Sequence, residues 1–262
     1  MRYVLHSMKM LLRSALQYRS SFLMQTLSQF IMTGGDLLAV LVLMDRFAHL
    51  GHWEPPEILF FFGVMQVTFA LTEFLGRGIT VFANYVGSGE FDTFLLRPQP
   101  LLLQTLSARI DPRRTGGILA GGAALVMASV NLSLRWTLQK VVLLLLSMTG
   151  SLLLLLGLFL IEATVSFFSV RSIEMVNVLT YGGREACQYP VDIYPKPLQV
   201  LFTWVAPFAL CMHLPVSWII GKPLMNVPAW QVFAAPMAGA VFFLVMVRVW
   251  YWGVRHYRST GS

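Results

Sequence analysis

Apolar runs about twenty residues long, separated by short polar clusters, dominate the chain. Windows free of charged residues occupy 115–134, 141–161, 197–221 and 223–247. Residues 58–72 form a further apolar run, which a helix extends past Glu73 and Arg77 to about 82, and 21–44 form another, interrupted only by Asp36. A bilayer core of about 30 Å is crossed by about 20 helical residues. The pattern therefore predicts six transmembrane helices, over 21–44, 58–82, 115–134, 141–168, 198–219 and 228–250, in a single domain spanning 1–262.

The first twenty residues follow another rule. Arg2, His6, Lys9, Arg13, Gln17 and Ser20 recur at helical spacing, while Val4, Leu5, Met8, Leu11, Leu12, Ala15 and Leu16 fill the other face. A basic amphipathic helix of this kind lies in the interface plane, its Lys and Arg against anionic headgroups. The alternative is a plain cytosolic extension of the first span. The segment has no continuous apolar stretch of the kind a cleavable signal peptide needs. The predicted fold class is thus an all-α integral membrane protein, with an interfacial helix over 1–20 ahead of six transmembrane helices.

Basic residues orient these spans. Arg2, Lys9, Arg13, Arg19, Arg97, Arg109, Arg113, Arg114, Arg171, Arg184, Lys196, Arg248, Arg255 and Arg258 fall on one side, and only Arg46, Arg135, Lys140 and Lys222 on the other. An excess of Lys and Arg marks the cytoplasmic side, so both termini are expected in the cytosol.

Composition agrees. The chain is 56% hydrophobic and 12% charged, against about 25% charged in soluble domains. The net charge of +7 would suit nucleic acid, but its one-sided placement assigns it to the membrane, and no nucleic-acid partner is expected. Cys187 and Cys211 fall in a predicted cytosolic loop and a predicted span, so no disulfide framework is implied. No repeat of 20–50 residues is present.

Catalytic chemistry is not offered by the sequence. There is no phosphate-binding GxxxxGK[ST] loop; the Gly221–Lys222 pair is followed by Pro223. Ser88 in "GSG" has no histidine near it in sequence, and no GxSxG occurs. His49, His52 and Glu54 fall short of the four organised ligands of a zinc site, so they read as a solvated loop. No catalytic, cofactor-binding or metal residues are assigned, and the chain is not expected to be an enzyme.

The stretch "GSGEFDTFLLRPQP" after the second span stands out. Phe91, Phe94 and Leu95 recur at i, i+3 and i+4, one apolar face of a short helix that Pro98 stops. Glu90, Asp92 and Arg97 place charges around it. Such a helix either docks in a groove of a partner or anchors the loop on the membrane surface.

"GEFDTFLLRPQPLLLQ" resembles the G-x-FD-x-x-LLRP-x-x-x-x-x-Q motif of one branch of ABC-2 type transporter permeases, small six-span subunits of ATP-binding cassette exporters. "YPVDIYPKPLQVLFTWVAPFALCMHLPVSWIIGKP" resembles the YP-x-x-IYP segment of that family with its following PFA…P…G pattern, and "YRSSF" fits ahead of the first span. The resemblance implies that Glu90, Phe91, Asp92, Phe94, Leu95 and Arg97 form the coupling helix, with Phe91, Phe94 and Leu95 seated in a cleft of a cytosolic ABC ATPase. It makes 1–20 the elbow helix. Tyr189, Pro190, Tyr194 and Pro195 would shape a cytosolic turn into the fifth span. Pro207, Phe208 and Pro215 would break that span into a re-entrant piece facing outside, or simply end it.

It further implies a second ABC-2 permease, identical or related, in the bacterial cytoplasmic (inner) membrane. ATP and magnesium would be bound by the partner ATPase and no cofactor by this chain. The substrate would be a small hydrophobic, amphipathic or cationic compound for export. The alternative is a stand-alone six-span secondary transporter or channel, which would need inverted repeats and an ion site near the midplane.

Charges inside spans cost about 2.5–3.5 kcal/mol at the helix centre, so Asp36, Glu73, Arg77 and Glu162 need partners or water. Glu73 and Arg77, at i and i+4, are placed to neutralise each other. Glu162 lacks a partner on its own helix and either attracts a cationic substrate or pairs with Arg171 or another helix. Asp36 follows Thr33–Gly35, whose glycines allow close helix approach, so a dimer contact or a cavity lining is expected there.

Overall fold

The computed structural model describes residues 9–11, 13–14, 17–46, 50–168, 173–222 and 227–257, and among them the fold is helical with no strands. Most of the helix predicted over 1–20 lies outside the described residues; Lys9–Leu11, Arg13, Ser14 and Gln17 are helical. The long elements are α1 (Arg19–Arg46), α2 (Pro55–Thr80), α6 (Thr115–Asn131), α7 (Leu138–Ser166), α8 (Ile173–Cys187) and α12 (Met237–Arg255). Short helices α3 (Phe82–Gly87), α4 (Phe91–Leu95) and α5 (Leu101–Ala108) follow α2. A bent stretch after α8 carries α9 (Lys196–Val200) and α10 (Leu214–Ile220), and α11 (Ala229–Ala234) precedes α12.

Among the described residues, three helical stretches are long and apolar enough to cross a membrane: Pro55–Gly87, Leu138–Ser166 and Ala229–Arg255. A fourth arises only if the pair Lys196–Val205 and Ala209–Ile220, bent by 83°, is counted as one span. Helix α1, at 28 residues, is of similar length but less apolar, and α6, at 17 residues, reaches about 25 Å at 1.5 Å per residue.

Helix α2 is the centre of the bundle. Of its most apolar window 83% is buried inside the chain, against 17% for the window in Ala229–Arg255. Its phenylalanines Phe60, Phe61, Phe62 and Phe69 are buried around the helix, which packs against α6, α7 and α8. Small residues set the spacing. A Cβ on Gly121 of α6 would lie 2.9 Å from the Val67 nitrogen, and one on Gly63 of α2 would lie 2.8 Å from the Leu125 nitrogen. The two backbones approach as closely as glycine allows. A Cβ on Gly239 of α12 would overlap the carbonyl oxygen of Gly150 on α7.

The bundle has two ends. One holds the C-terminus of α2 with α3, α4 and α5, the start of α6, and the ends of α7 and α12; Phe91 marks it. The other holds the segment before α2, marked by Trp53, together with residues 188–195 and Lys222.

This arrangement corrects two expectations. Residues 173–187, read from sequence within a cytosolic loop, form α8, which runs beside α2 and α7 from one end toward the other. Thr180 bonds Glu162, Arg184 bonds Gln66 in mid-α2, and Asp192 beyond the helix bonds Trp53. The turn built on Tyr189, Pro190, Tyr194 and Pro195 therefore stands at the Trp53 end, opposite the end predicted for it.

The stretch predicted as the fifth span, 198–219, is broken in its middle, with Lys196–Val205 and Ala209–Ile220 bent by 83°. It leaves the Trp53 end, turns at Ala206–Phe208 beside Gly183 of α8, and returns to Lys222, whose ammonium meets Glu57 at 2.8 Å. Its limbs contain π-helical turns at Leu201–Val205 and Ala209–His213. Pro207 lacks a backbone donor at the bend. Pro215 withholds a donor from the Cys211 carbonyl one turn earlier, and the Ser147 hydroxyl of α7 donates to that oxygen at 2.8 Å.

Candidate functional site

The conspicuous segment after α2 folds as expected in kind and differently in facing. Residues Phe91–Leu95 form one helical turn. Phe91 and Phe94, expected to enter a partner, are turned into the chain's own core, at 0% and 8% exposure. Phe91 packs against Phe82 of α3, Phe167 after α7 and Tyr257 after α12, with ring centroids 5.0–5.5 Å apart. Phe94 lies on Tyr85. The outward face is Glu90, Thr93, Leu95, Leu96 and Arg97, with Leu96 86% exposed. Asp92 is half-buried.

Helical periodicity identifies an apolar face but not which molecule covers it. The covering rings come from three separate stretches of sequence, which is why the facing was misread.

Gln104, the last residue of the motif, fixes the end of this turn. Its amide donates to the carbonyls of Phe94 at 3.2 Å and Gln99 at 2.8 Å. The Phe94 oxygen also accepts from the Arg97 N–H at 3.3 Å, so Gln104 adds a second donor there. The sequence signalled Gln104 by its place in the motif but not by any chemistry of its own. Arg97 lies 5.8 Å over the Phe94 ring.

Behind the turn is an ion cluster. Glu73, 1% exposed at its side chain, accepts from Arg114 at 2.8 Å. Asp111 accepts from Arg113 at 2.8 Å, with Arg77 and Arg114 each 3.8 Å away. The predicted pairing of Glu73 with Arg77 is thus replaced. Tertiary folding brings Arg114 onto Glu73, and Arg77 turns to Asp111. The cluster ties α2 to the loop entering α6.

The remaining intramembrane candidates separate. Glu162 accepts a short hydrogen bond from the Thr180 hydroxyl of α8; Arg171, its other candidate partner, lies outside the described residues. Asp36, 52% exposed, has one oxygen 3.6 Å from Arg184. Arg184 also meets Glu185 at 2.8 Å, donates to Gln66 at 2.9 Å and lies 4.7 Å over the Phe69 ring. Arg184 was missed as a site residue because it was assigned to a loop. Beside Gly34 and Gly35 a Cβ would meet open space among the described residues.

At the Trp53 end a second polar centre forms that sequence reading did not join. The indole nitrogen of Trp53 donates to both oxygens of Asp192, at 3.0 and 3.1 Å. His52 lies 3.3 Å and His213 3.8 Å from the same carboxylate. The Val191 N–H donates to His213 Nδ1, so the proton of the neutral ring sits on Nε2, facing Asp192. Tyr194 donates to the Ala186 carbonyl at 2.9 Å, closing the turn after α8. Among the described residues no group of three His, Cys, Asp or Glu side chains is arranged to hold a metal ion.

A family model described as ABC-2 family transporter protein matches residues 30–261 of the chain. No curated protein and no solved structure matches it.

Proposed function

The chain belongs to the ABC-2 transporter family, multi-pass membrane components of ABC transporters, and on that premise we propose that it is the permease subunit of an exporter. It pairs with a second ABC-2 permease, identical or related, to form the translocation path, and separate cytosolic ABC ATPases bind the ATP and magnesium and drive it. The substrate is a small hydrophobic, amphipathic or cationic compound. The membrane is the bacterial cytoplasmic membrane, with the Phe91 end and both termini in the cytosol. The six crossings are α1, α2, α6, α7, α8 and α12, and 196–220 is a re-entrant hairpin entered from outside. Transferring Lys196 to the outer side leaves the basic excess on the Phe91 side.

The observation that supports this reading best is the shape of the turn Phe91–Leu95. Its inward aromatic residues lock it to the ends of α3, α7 and α12, while its outward Leu95, Leu96 and Arg97 are free to be gripped. A push from an ATPase on that face is delivered to three helices at once, as a rigid-body change between inward- and outward-facing states requires.

The test is co-purification with ABC ATPases from the same genome, followed by ATP-driven transport in vesicles. Leu96→Asp with Arg97→Glu is expected to release the ATPase and abolish transport without unfolding the permease. An intact complex with full transport refutes the assignment, as does uphill transport by the permease alone.

A further inference from the structure

Between the turn at Val191 and Asp192, both limbs of the hairpin and α11 lies a cavity of about 620 Å³, within the range of about 300–1,000 Å³ that small-molecule sites occupy. Its walls are mostly apolar, from Leu210, Leu214, Trp230 and Ala235, and its polar groups include Asp192 and Gln231. Trp230 is 68% exposed.

The charge balance of the wall is informative. Asp192 is held by the neutral indole N–H of Trp53 and by two histidines, which carry charge only when protonated. Lys222 is engaged 2.8 Å from Glu57, and among the described residues neither it nor Lys196 comes within 4 Å of the Asp192 carboxylate. Hydrogen bonds from neutral donors fix the carboxylate in place but leave its negative charge uncancelled, and a cationic group is what completes it. The apolar walls select what carries that cation.

We propose that this cavity is a binding site for an amphiphile with an amine or quaternary ammonium head, the head at Asp192 and the hydrocarbon body along Leu210, Leu214 and Trp230. The proposal deepens the substrate class given above and rests on its membrane placement, not on ATPase coupling. Two sources supply this chemistry, an exported cationic compound or an amine-headed lipid of the outer leaflet.

The test needs no ATPase. The permease in nanodiscs of phosphatidylglycerol, whose head carries no amine or quaternary ammonium, is titrated with spin-labelled dodecyltrimethylammonium, read as tryptophan quenching, with Trp230→Phe identifying the signal of the cavity. Asp192→Asn, which keeps an acceptor for Trp53, is expected to weaken binding at least tenfold while leaving a spin-labelled dodecanol unaffected. Ala234→Trp, which fills the cavity away from the carboxylate, is expected to weaken both probes. Unchanged affinity for the cationic probe in Ala234→Trp overturns the site, and unchanged affinity in Asp192→Asn overturns the role of its charge; if Asp192→Asn aggregates, Ala234→Trp decides alone. Displacement of the probe by phosphatidylethanolamine in the discs assigns the site to a lipid amine, and no displacement assigns it to exported cargo. Because binding is read without nucleotide, failure here leaves the coupling assignment standing, and failure of coupling leaves this site standing.

Discussion

Phe91 and Trp53 are both wholly buried, one at each end of the bundle, and they are buried in different ways. Phe91 packs against the rings of Phe82, Phe94, Phe167 and Tyr257. Trp53 packs edge-on against Phe61 but gives its N–H to Asp192, beside a cavity. A close-packed aromatic joint has no second arrangement of similar energy, so it passes displacement on. A polar joint beside empty volume and π-helical turns can change partners at small cost. The contrast suits an end that is pushed and an end that admits molecules of varied shape.

The contrast can be broken most severely at the pushed end. Phe91→Ala removes a buried ring from a site with no room to collapse and is expected to destabilise the permease by about 3–5 kcal/mol, seen as a lower unfolding midpoint in detergent. Next, Arg114→Ala strands the buried Glu73 carboxylate at a cost of about 3–5 kcal/mol, whereas Glu73→Leu with Arg114→Met together is expected to be close to neutral. At the Trp53 end the effect is smaller. Asp192→Ala leaves the Trp53 N–H without its acceptor and is expected to cost about 1–3 kcal/mol. The smallest effect is Leu96→Ala, within about 0.5 kcal/mol because the side chain is exposed. If Leu96→Ala destabilises as much as Phe91→Ala, the inward and outward faces of Phe91–Leu95 have been assigned the wrong way round.

What the chain disclosed beforehand follows the same division. Helices α2, α7 and α12 were legible because lipid and core both demand unbroken apolar runs, and the turn at Phe91 was legible from its spacing and Pro98. Helix α8 was hidden by Arg184, Glu185 and Gln188. Hydropathy counts a charge by its type, while the fold meets Arg184 with Gln66, Asp36 and the Phe69 ring from other helices. The break in 197–221 was legible only through the resemblance: the stretch is apolar throughout, and its prolines allowed either a re-entrant piece or a plain end, where the fold bends by 83° between Val205 and Ala209. Likewise Trp53, Asp192 and His213 lie far apart in sequence, and no spacing rule joins them.

The hairpin's two feet, near Gln199 and at Lys222, stand on the same side of the molecule. A detour that begins and ends on one shore adds nothing to the parity of the route. A change in the length of that excursion is therefore expected to leave the direction of Met237–Arg255 unaltered. The same excursion walls the cavity, so the cavity can be resized without moving the tail whose Tyr257 packs on Phe91.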